Sequence, residues 1–136
     1  MYKVVQTPSL LVQLTEDDAH YRQVFLDGRS HPIDLNPTWK GHSTGTWDGD
    51  VLVIDSVGFN DKTWLPGFLP HTERLHVIER YQRPDLGHLE IEVTYDDPGA
   101  LTTPLRVKHI WELVPGEELQ EWVCENNRFR ELAGGR

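Results

Sequence analysis

The segment from His42 to Val57 constrains the fold of this chain more than any other. Two extended runs flank the dipeptide Asp48-Gly49. A two-residue Asp-Gly loop is typical of a type I′ turn, because glycine adopts positive φ without strain and aspartate tolerates it. The run from Val51 onward is too rich in β-branched residues for a stable helix, and it has the length of a strand. We therefore predict a β-hairpin here.

The rest of the chain continues as short extended runs separated by turn residues. In the run 88–95, Leu89, Ile91 and Val93 share one face and polar residues occupy the other. Such alternation is typical of an antiparallel strand with one buried and one solvated face. The pattern predicts eight strands, at residues 9–15, 20–26, 42–47, 51–57, 75–81, 88–95, 105–113 and 119–125.

These strands predict an all-β fold. Consecutive strands usually lie next to each other, so an antiparallel meander is the simplest topology. Eight antiparallel strands with one apolar face can close into a barrel or pack as a sandwich. We expect one domain, residues 1–136, that forms a lipocalin-like (calycin-like) barrel, with a β-sandwich as the alternative.

Two long connections, 29–41 and 58–74, interrupt this regular pattern. Irregular loops of this length are uncommon in compact domains and are often functional. The second one is also rich in large apolar side chains, which cannot all face water without cost. They are Phe59, Trp64, Leu65, Phe68 and Leu69. We expect this loop to fold over another part of the protein.

The charge and the residue composition exclude several classes of partner. The net charge is −9 without a cluster of Lys and Arg, which argues against a nucleic-acid partner and against an anionic membrane surface. No apolar run approaches the ~18 residues of a transmembrane helix, and the N-terminus lacks the core of a signal peptide. The single cysteine, Cys124, excludes an intramolecular disulfide and a cysteine-rich zinc site.

Six phrases spread over nearly the whole chain resemble a family of small, β-rich bacterial proteins. The phrases are GHS (41–43), TWDGDVLV (46–53), GFNDKTWL (58–65), LHVIER (75–80), DDP (96–98) and EWVCEN (121–126). The resemblance implies no particular activity. Because members of the family are often exported, it leaves the compartment open. We expect a cytoplasmic protein as the chain stands, and an exported one if a further N-terminal segment precedes it.

Ionisable side chains on apolar strand faces are the first candidates for a catalytic site. By alternation, His109 lies between Val107 and Trp111, and Asp55 shares a face with the valines of its own strand. Glu79 shares a face with Leu75, Val77 and Tyr81. A buried carboxylate needs a partner or a raised pKa, and a carboxylate beside an imidazole forms an acid–base dyad.

Two interpretations of these three residues stay open. In the first, His109 with Asp55 or Glu79 moves a proton on a bound substrate, as in a cofactor-free hydrolase, isomerase or lyase. In the second, His109 is a core histidine with one hydrogen bond, and Arg80 or Arg106 neutralises the carboxylates.

Aromatic side chains give the leading hypothesis, a β-barrel that binds a small neutral or cationic organic molecule in its interior. Aromatic faces beside carboxylates suit a sugar-like or aromatic ligand. The candidate ligand-binding residues are Trp47, Trp64, Phe68, Tyr81, Trp111 and Trp122. The alternative is that these side chains serve packing alone. No cofactor is expected in either case, and an exposed strand edge would favour a homodimer.

A metal site is a third hypothesis. His42, His71 and His76 could together bind zinc or copper at the mouth of the barrel. Their spacing matches no established metal motif, and solvated loop histidines explain it equally well. Cys124 is either a small buried apolar residue or, with a histidine nearby in space, a nucleophile.

Overall fold

A computed structural model describes residues 1–16 and 20–120 of the chain, and these contain strands, turns and loops. The all-β prediction is confirmed. The strands are β1 (Tyr2–Gln6), β2 (Leu10–Thr15), β3 (Tyr21–Phe25), β4 (His42–Asp48), β5 (Val51–Val57), β6 (Trp64–Leu65), β7 (Leu69–Pro70), β8 (His76–Gln82), β9 (His88–Asp96) and β10 (Leu105–Glu112). Within the described residues there is no helix of the length and apolar character needed to cross a membrane.

Eight of these strands form one sheet in the order β1-β2-β3-β4-β5-β8-β9-β10. The sheet curls into a half-barrel, which confirms the barrel-like prediction. Strands β6 and β7 form a separate small hairpin within the second long connection. Consecutive strands of the large sheet are neighbours, as a meander requires.

One connection departs from the antiparallel meander. Strands β3 and β4 run parallel and share only two register pairs, Val24 with Ser43 and Phe25 with Thr44. A parallel pair needs a long crossover connection, and the loop 26–41 supplies it. The expectation of a purely antiparallel sheet is wrong at this one place.

The predicted hairpin of β4 and β5 is present, but its turn is shifted by one residue. Asp48 pairs with Val51, so the two loop residues are Gly49 and Asp50. Gly49 has a φ of 60°, whereas Asp50 is not among the residues with positive φ. Glycine at the first loop position, followed by negative φ, is the combination of a type II′ turn. The type I′ prediction is therefore wrong.

The two ends of the described sheet differ from the predicted strand list. Strand β1 was not predicted, because all five of its residues are exposed and carry no apolar alternation. The predicted strand at 119–125 falls mostly on residues 121–125, outside the described residues, as do Trp122 and Cys124.

The core lies on the inner face of the curled sheet. Its buried members are Leu11, Val24, Leu52, Ile54, Leu65, Leu75, Val77, Tyr81, Ile91 and Val93. In β5 the buried residues are Leu52, Ile54 and Ser56, and the residues between them are only partly covered. Asp55 therefore lies on the outer face, so the expectation that it points inward is wrong. Valines on one face and Leu and Ile on the other make both faces of β5 apolar, and alternation cannot tell them apart.

The apolar loop 58–74 is covered only in part. Leu65 belongs to the core and Phe59 packs against it. Trp64, Phe68 and Leu69 are 67%, 84% and 40% exposed, so the expectation that the loop buries its large apolar side chains is wrong for these three.

Asp97 fixes the end of this loop to the turn after β9. Its buried carboxylate accepts hydrogen bonds from Thr72 N (2.5 Å), Thr72 Oγ1 (2.8 Å) and Gly99 N (2.8 Å). Burial alone would raise the pKa of Asp97, but these hydrogen bonds outweigh it and hold the pKa below its usual value. The bond from Gly99 N also joins Asp97 to the backbone of its own turn.

Candidate functional site

A buried ion pair crosses the inner face of the half-barrel. Arg22 of β3 donates from Nη2 to Oε2 of Glu79 on β8, and their side chains are only 16% and 10% exposed. Glu79 thus lies on the buried face, as alternation predicted. Its partner is neither of the arginines considered from the sequence, since Arg80 bonds Asp48 on the surface instead.

Two buried serines complete the environment of Arg22. Its Nε donates to Ser43 Oγ (3.1 Å) and its Nη2 to Ser56 Oγ (2.7 Å), and the two hydroxyls lie 2.9 Å apart. Burial would lower the pKa of Arg22, but the Glu79 carboxylate more than compensates and raises it. Arg22 therefore stays charged, and its charge is satisfied within the sheet.

Tyr81 connects this ion pair to the open end of the inner face. Its hydroxyl donates to Glu79 Oε1 (3.2 Å). Burial, with a further contribution from Glu79, raises the pKa of Tyr81 far above its ordinary value. The hydroxyl therefore stays protonated as a donor. The ring of Tyr81 meets Trp111 edge to face, with 6.5 Å between centroids.

A groove of about 860 Å³ opens beside Tyr81 at one end of the inner face. Three of the predicted ligand-binding residues, Trp47, Tyr81 and Trp111, line it. Trp64 and Phe68 do not belong to its lining, and Trp122 lies outside the described residues. Leu52 and Leu89 contribute apolar wall, and Tyr2 from the opposite sheet edge stacks on Trp111 at 4.5 Å between centroids.

A second cluster of ionisable groups lies on the outer face and is built around Asp55. Its Oδ1 is 2.9 Å from His76 Nε2 and 3.1 Å from His31 Nε2. The other nitrogen of His31, Nδ1, is 2.8 Å from Nδ1 of His42. Asp55 is 42% exposed, so this cluster borders solvent.

The carboxylate determines where the protons of this cluster lie. Since it only accepts hydrogen bonds, His31 must carry a proton on Nε2, and the Nδ1 of neutral His31 is then an acceptor. His42 consequently donates from its own Nδ1, and its Nε2 keeps a free lone pair. Burial, and next the charges of His31 and Arg29, lower the pKa of His42.

The structure does not unite His109 with either predicted carboxylate partner. His109 shares the inner face with its cross-strand partner Ile91, but it is exposed on the edge strand β10. No hydrogen bond joins it to Asp55 or Glu79, all three of which are described residues. The dyad built on His109 is therefore not formed.

The three predicted metal ligands are also not brought together. His42 and His76 belong to the outer cluster, but His71 is buried elsewhere, against Thr63 Oγ1 (2.6 Å) and the Thr72 carbonyl oxygen (3.1 Å). Among residues 1–16 and 20–120, no three His, Cys, Asp or Glu side chains are arranged to hold a metal ion.

Sequence reasoning missed Arg22 and His31. Arg22 could have been found, since it alternates with Val24 and Leu26 and is thus a charged residue on an apolar face. His31 lies in the loop 26–41, where no periodicity indicates which way a side chain points.

Comparison with known proteins adds no further information about the site. No model of a known protein family matches the chain, and no curated protein or solved structure matches it. The family indicated by the six sequence phrases stays a prediction, and function is argued from the geometry.

Proposed function

We propose that this protein binds a small, neutral, planar organic molecule in the groove beside Tyr81. The observation that carries the proposal is the groove itself, about 860 Å³ in volume with Trp47, Tyr81 and Trp111 in its lining. Ligand sites in proteins commonly have volumes of roughly 300–1,000 Å³ and apolar, aromatic walls with a few polar groups.

The arrangement of the aromatic rings favours a flat ligand. Tyr2 stacks on Trp111 with only 8° between the ring planes, so two parallel aromatic rings lie in the wall of the groove. Rings prefer offset-stacked or edge-to-face partners, and a planar ligand inserted here could make both contacts.

The charges around the groove favour a neutral ligand. Both signs border it: Lys3, Arg83 and the terminal amine of Met1 are positive, and Asp50, Glu112 and Glu117 are negative. Neither an anion nor a cation gains a clear advantage from such a rim. In this proposal the half-barrel holds its ligand against a curved sheet, as a lipocalin-like barrel does.

Titration with indole, a neutral planar aromatic, tests the proposal by calorimetry. We expect saturable binding to the wild-type chain and roughly tenfold weaker binding to Trp111→Ala, because about 1.4 kcal/mol of lost contact is a factor of ten. The matched control is Trp39→Ala, which removes a tryptophan that is 58% exposed and outside the groove. Equal affinities for the two variants, or no heat of binding at millimolar indole, would contradict the proposal.

A further inference from the structure

A second cavity, of about 390 Å³, lies where β3 and β4 separate. The two strands pair only at Val24–Ser43 and Phe25–Thr44, so the residues before these pairs move apart. Residues 21–23 of β3 and 40–43 around the start of β4 line the opening. None of these residues lines the aromatic groove, so the two cavities are separate.

His42 is the lining residue of this cavity with a free nitrogen. Its Nδ1 is engaged by His31, and its ring stacks on Phe25 with 5.2 Å between centroids. Its Nε2 has no hydrogen bond in the described part of the chain. Every buried side-chain nitrogen or oxygen among the described residues has a hydrogen-bond partner. Because Nε2 of His42 has no partner, it is not buried and a bound molecule can reach it.

The lining of this cavity is positively charged although the protein carries a net charge of −9. Lys40 and Arg22 contribute to the lining, and no Asp or Glu among the described residues does so. The charge of Arg22 is matched by Glu79, which leaves Lys40 as the cation available to a bound molecule. A small organic anion fits this environment better than a neutral or cationic molecule.

We propose that this cavity is a proton-transfer site for a small organic carboxylate, with Nε2 of His42 as the general base. The base removes a proton from the carbon or oxygen next to the carboxylate, and the electron pair of the broken bond stays on the substrate. The proton on His42 Nδ1 then moves to Nδ1 of His31. Positive charge thus comes to lie on His31, beside the carboxylate of Asp55, and the reverse transfers return the proton to the product.

In this scheme His42 is the catalytic residue, and Asp55 acts through His31 as a positioning residue. The ionisable groups around the pair of histidines come from four parts of the chain. They are Tyr21 of β3, Arg29 and Lys40 of the crossover loop, Asp55 of β5 and His76 of β8. Arg22 of β3 also lines the cavity, but its side chain is bonded to Glu79 on the inner face.

The pKa of His42 supports its role as a base. Burial, His31 and Arg29 lower that pKa below 6.5, so Nε2 is unprotonated near neutral pH. Proton abstraction by His42 should rise with pH through the lowered pKa and be constant above it. Removing the Asp55 carboxylate takes away stabilisation of the protonated pair, so the midpoint should move to still lower pH.

The base can be tested with 5-nitrobenzisoxazole, a probe that needs only proton removal from carbon. As the base takes this proton, the N–O bond breaks and a coloured cyanonitrophenolate forms. We expect the wild-type rate to exceed that of His42→Gln at least about tenfold, and a lower midpoint for Asp55→Asn. The control His20→Gln, at an exposed histidine outside the cavity, should match the wild type. Equal rates for the wild type and His42→Gln, or an unmoved midpoint in Asp55→Asn, would overturn the proposal.

Two further measurements separate the base from the anion site. Nitrogen NMR of the histidine rings should show the proton of His42 on Nδ1 at neutral pH. A proton on Nε2 instead would refute the proton relay, and this measurement needs no substrate.

Acetate should inhibit the probe reaction competitively in the wild type and several-fold less in Lys40→Gln, as expected when a cation holds the carboxylate. Equal inhibition of both proteins would reject a carboxylate substrate.

Discussion

Glu79 and Asp55 belong to adjacent register pairs of the neighbouring strands β8 and β5, yet their carboxylates lie in different environments. Glu79 is opposite Ile54 and Asp55 is opposite Ile78 on the paired strands β8 and β5, so they occupy opposite faces of one sheet. Glu79 is 10% exposed and pairs with a guanidinium, whereas Asp55 is 42% exposed and pairs with two imidazoles. The partner of the inner carboxylate is a permanent cation, whereas the partners of the outer one are imidazoles.

This difference predicts that the two carboxylates contribute unequally to stability. A buried carboxylate bonded to arginine is a permanent part of the fold, because removal of either charge leaves the other unpaired. The outer carboxylate is bonded to imidazoles, whose ring nitrogens can both donate and accept protons. The inner ion pair is therefore expected to matter most for stability, whereas the outer cluster is the one used by the proposed proton transfer.

Neutralisation of Glu79 should produce the largest effect on stability. Glu79→Gln leaves Arg22 buried without its counter-charge, and we expect the free energy of unfolding to fall by about 3–5 kcal/mol. Urea denaturation followed by tryptophan fluorescence measures the loss. The double variant Arg22→Met/Glu79→Met should recover much of it, because well-packed apolar residues can replace a buried pair. A loss below about 1 kcal/mol in Glu79→Gln would place the pair among weak surface interactions.

Removal of the Ser56 hydroxyl should have an intermediate effect. Ser56→Ala takes one acceptor from Arg22 and one hydrogen-bond partner from Ser43, both within the sheet. We expect a loss of about 1–3 kcal/mol in the free energy of unfolding, as for other buried polar groups left without a partner. Ser30→Ala, at an exposed loop position, is the matched control and should change little. If the two variants were equally stable, the inner cluster would not depend on its serines.

Neutralisation of Asp55 should have the smallest effect on stability. Because Asp55 borders solvent, Asp55→Asn should lower the free energy of unfolding by less than about 1 kcal/mol in the same denaturation experiment. The difference between Asp55→Asn and Glu79→Gln is the direct measure of the contrast between the two faces. Similar losses in both variants would show that the outer cluster also supports the fold.

The strands of the central sheet could largely be predicted from sequence, whereas the residues that meet across it could not. The run from His88 to Tyr95 alternates cleanly because only one of its faces is buried. Glu79 was assigned to the correct face for the same reason, but Arg22 lies 57 positions away and no local pattern joins them. Asp55 was assigned to the wrong face because both faces of β5 are apolar. His109 was assigned to the correct face, but alternation does not reveal that β10 is at the edge of the described sheet, where His109 is exposed.

The two register pairs that join β3 to β4 have a consequence for how the molecule opens. They connect a three-stranded unit, β1 to β3, to the remaining five strands, whereas β4 and β5 share seven pairs. Cooperative units of a protein separate where few contacts join them. Amide protons of β1 to β3 should therefore exchange with solvent together, and before those of β5 and β8. The side chain of Arg22 is bonded to β4, β5 and β8 at once, so it should slow this separation.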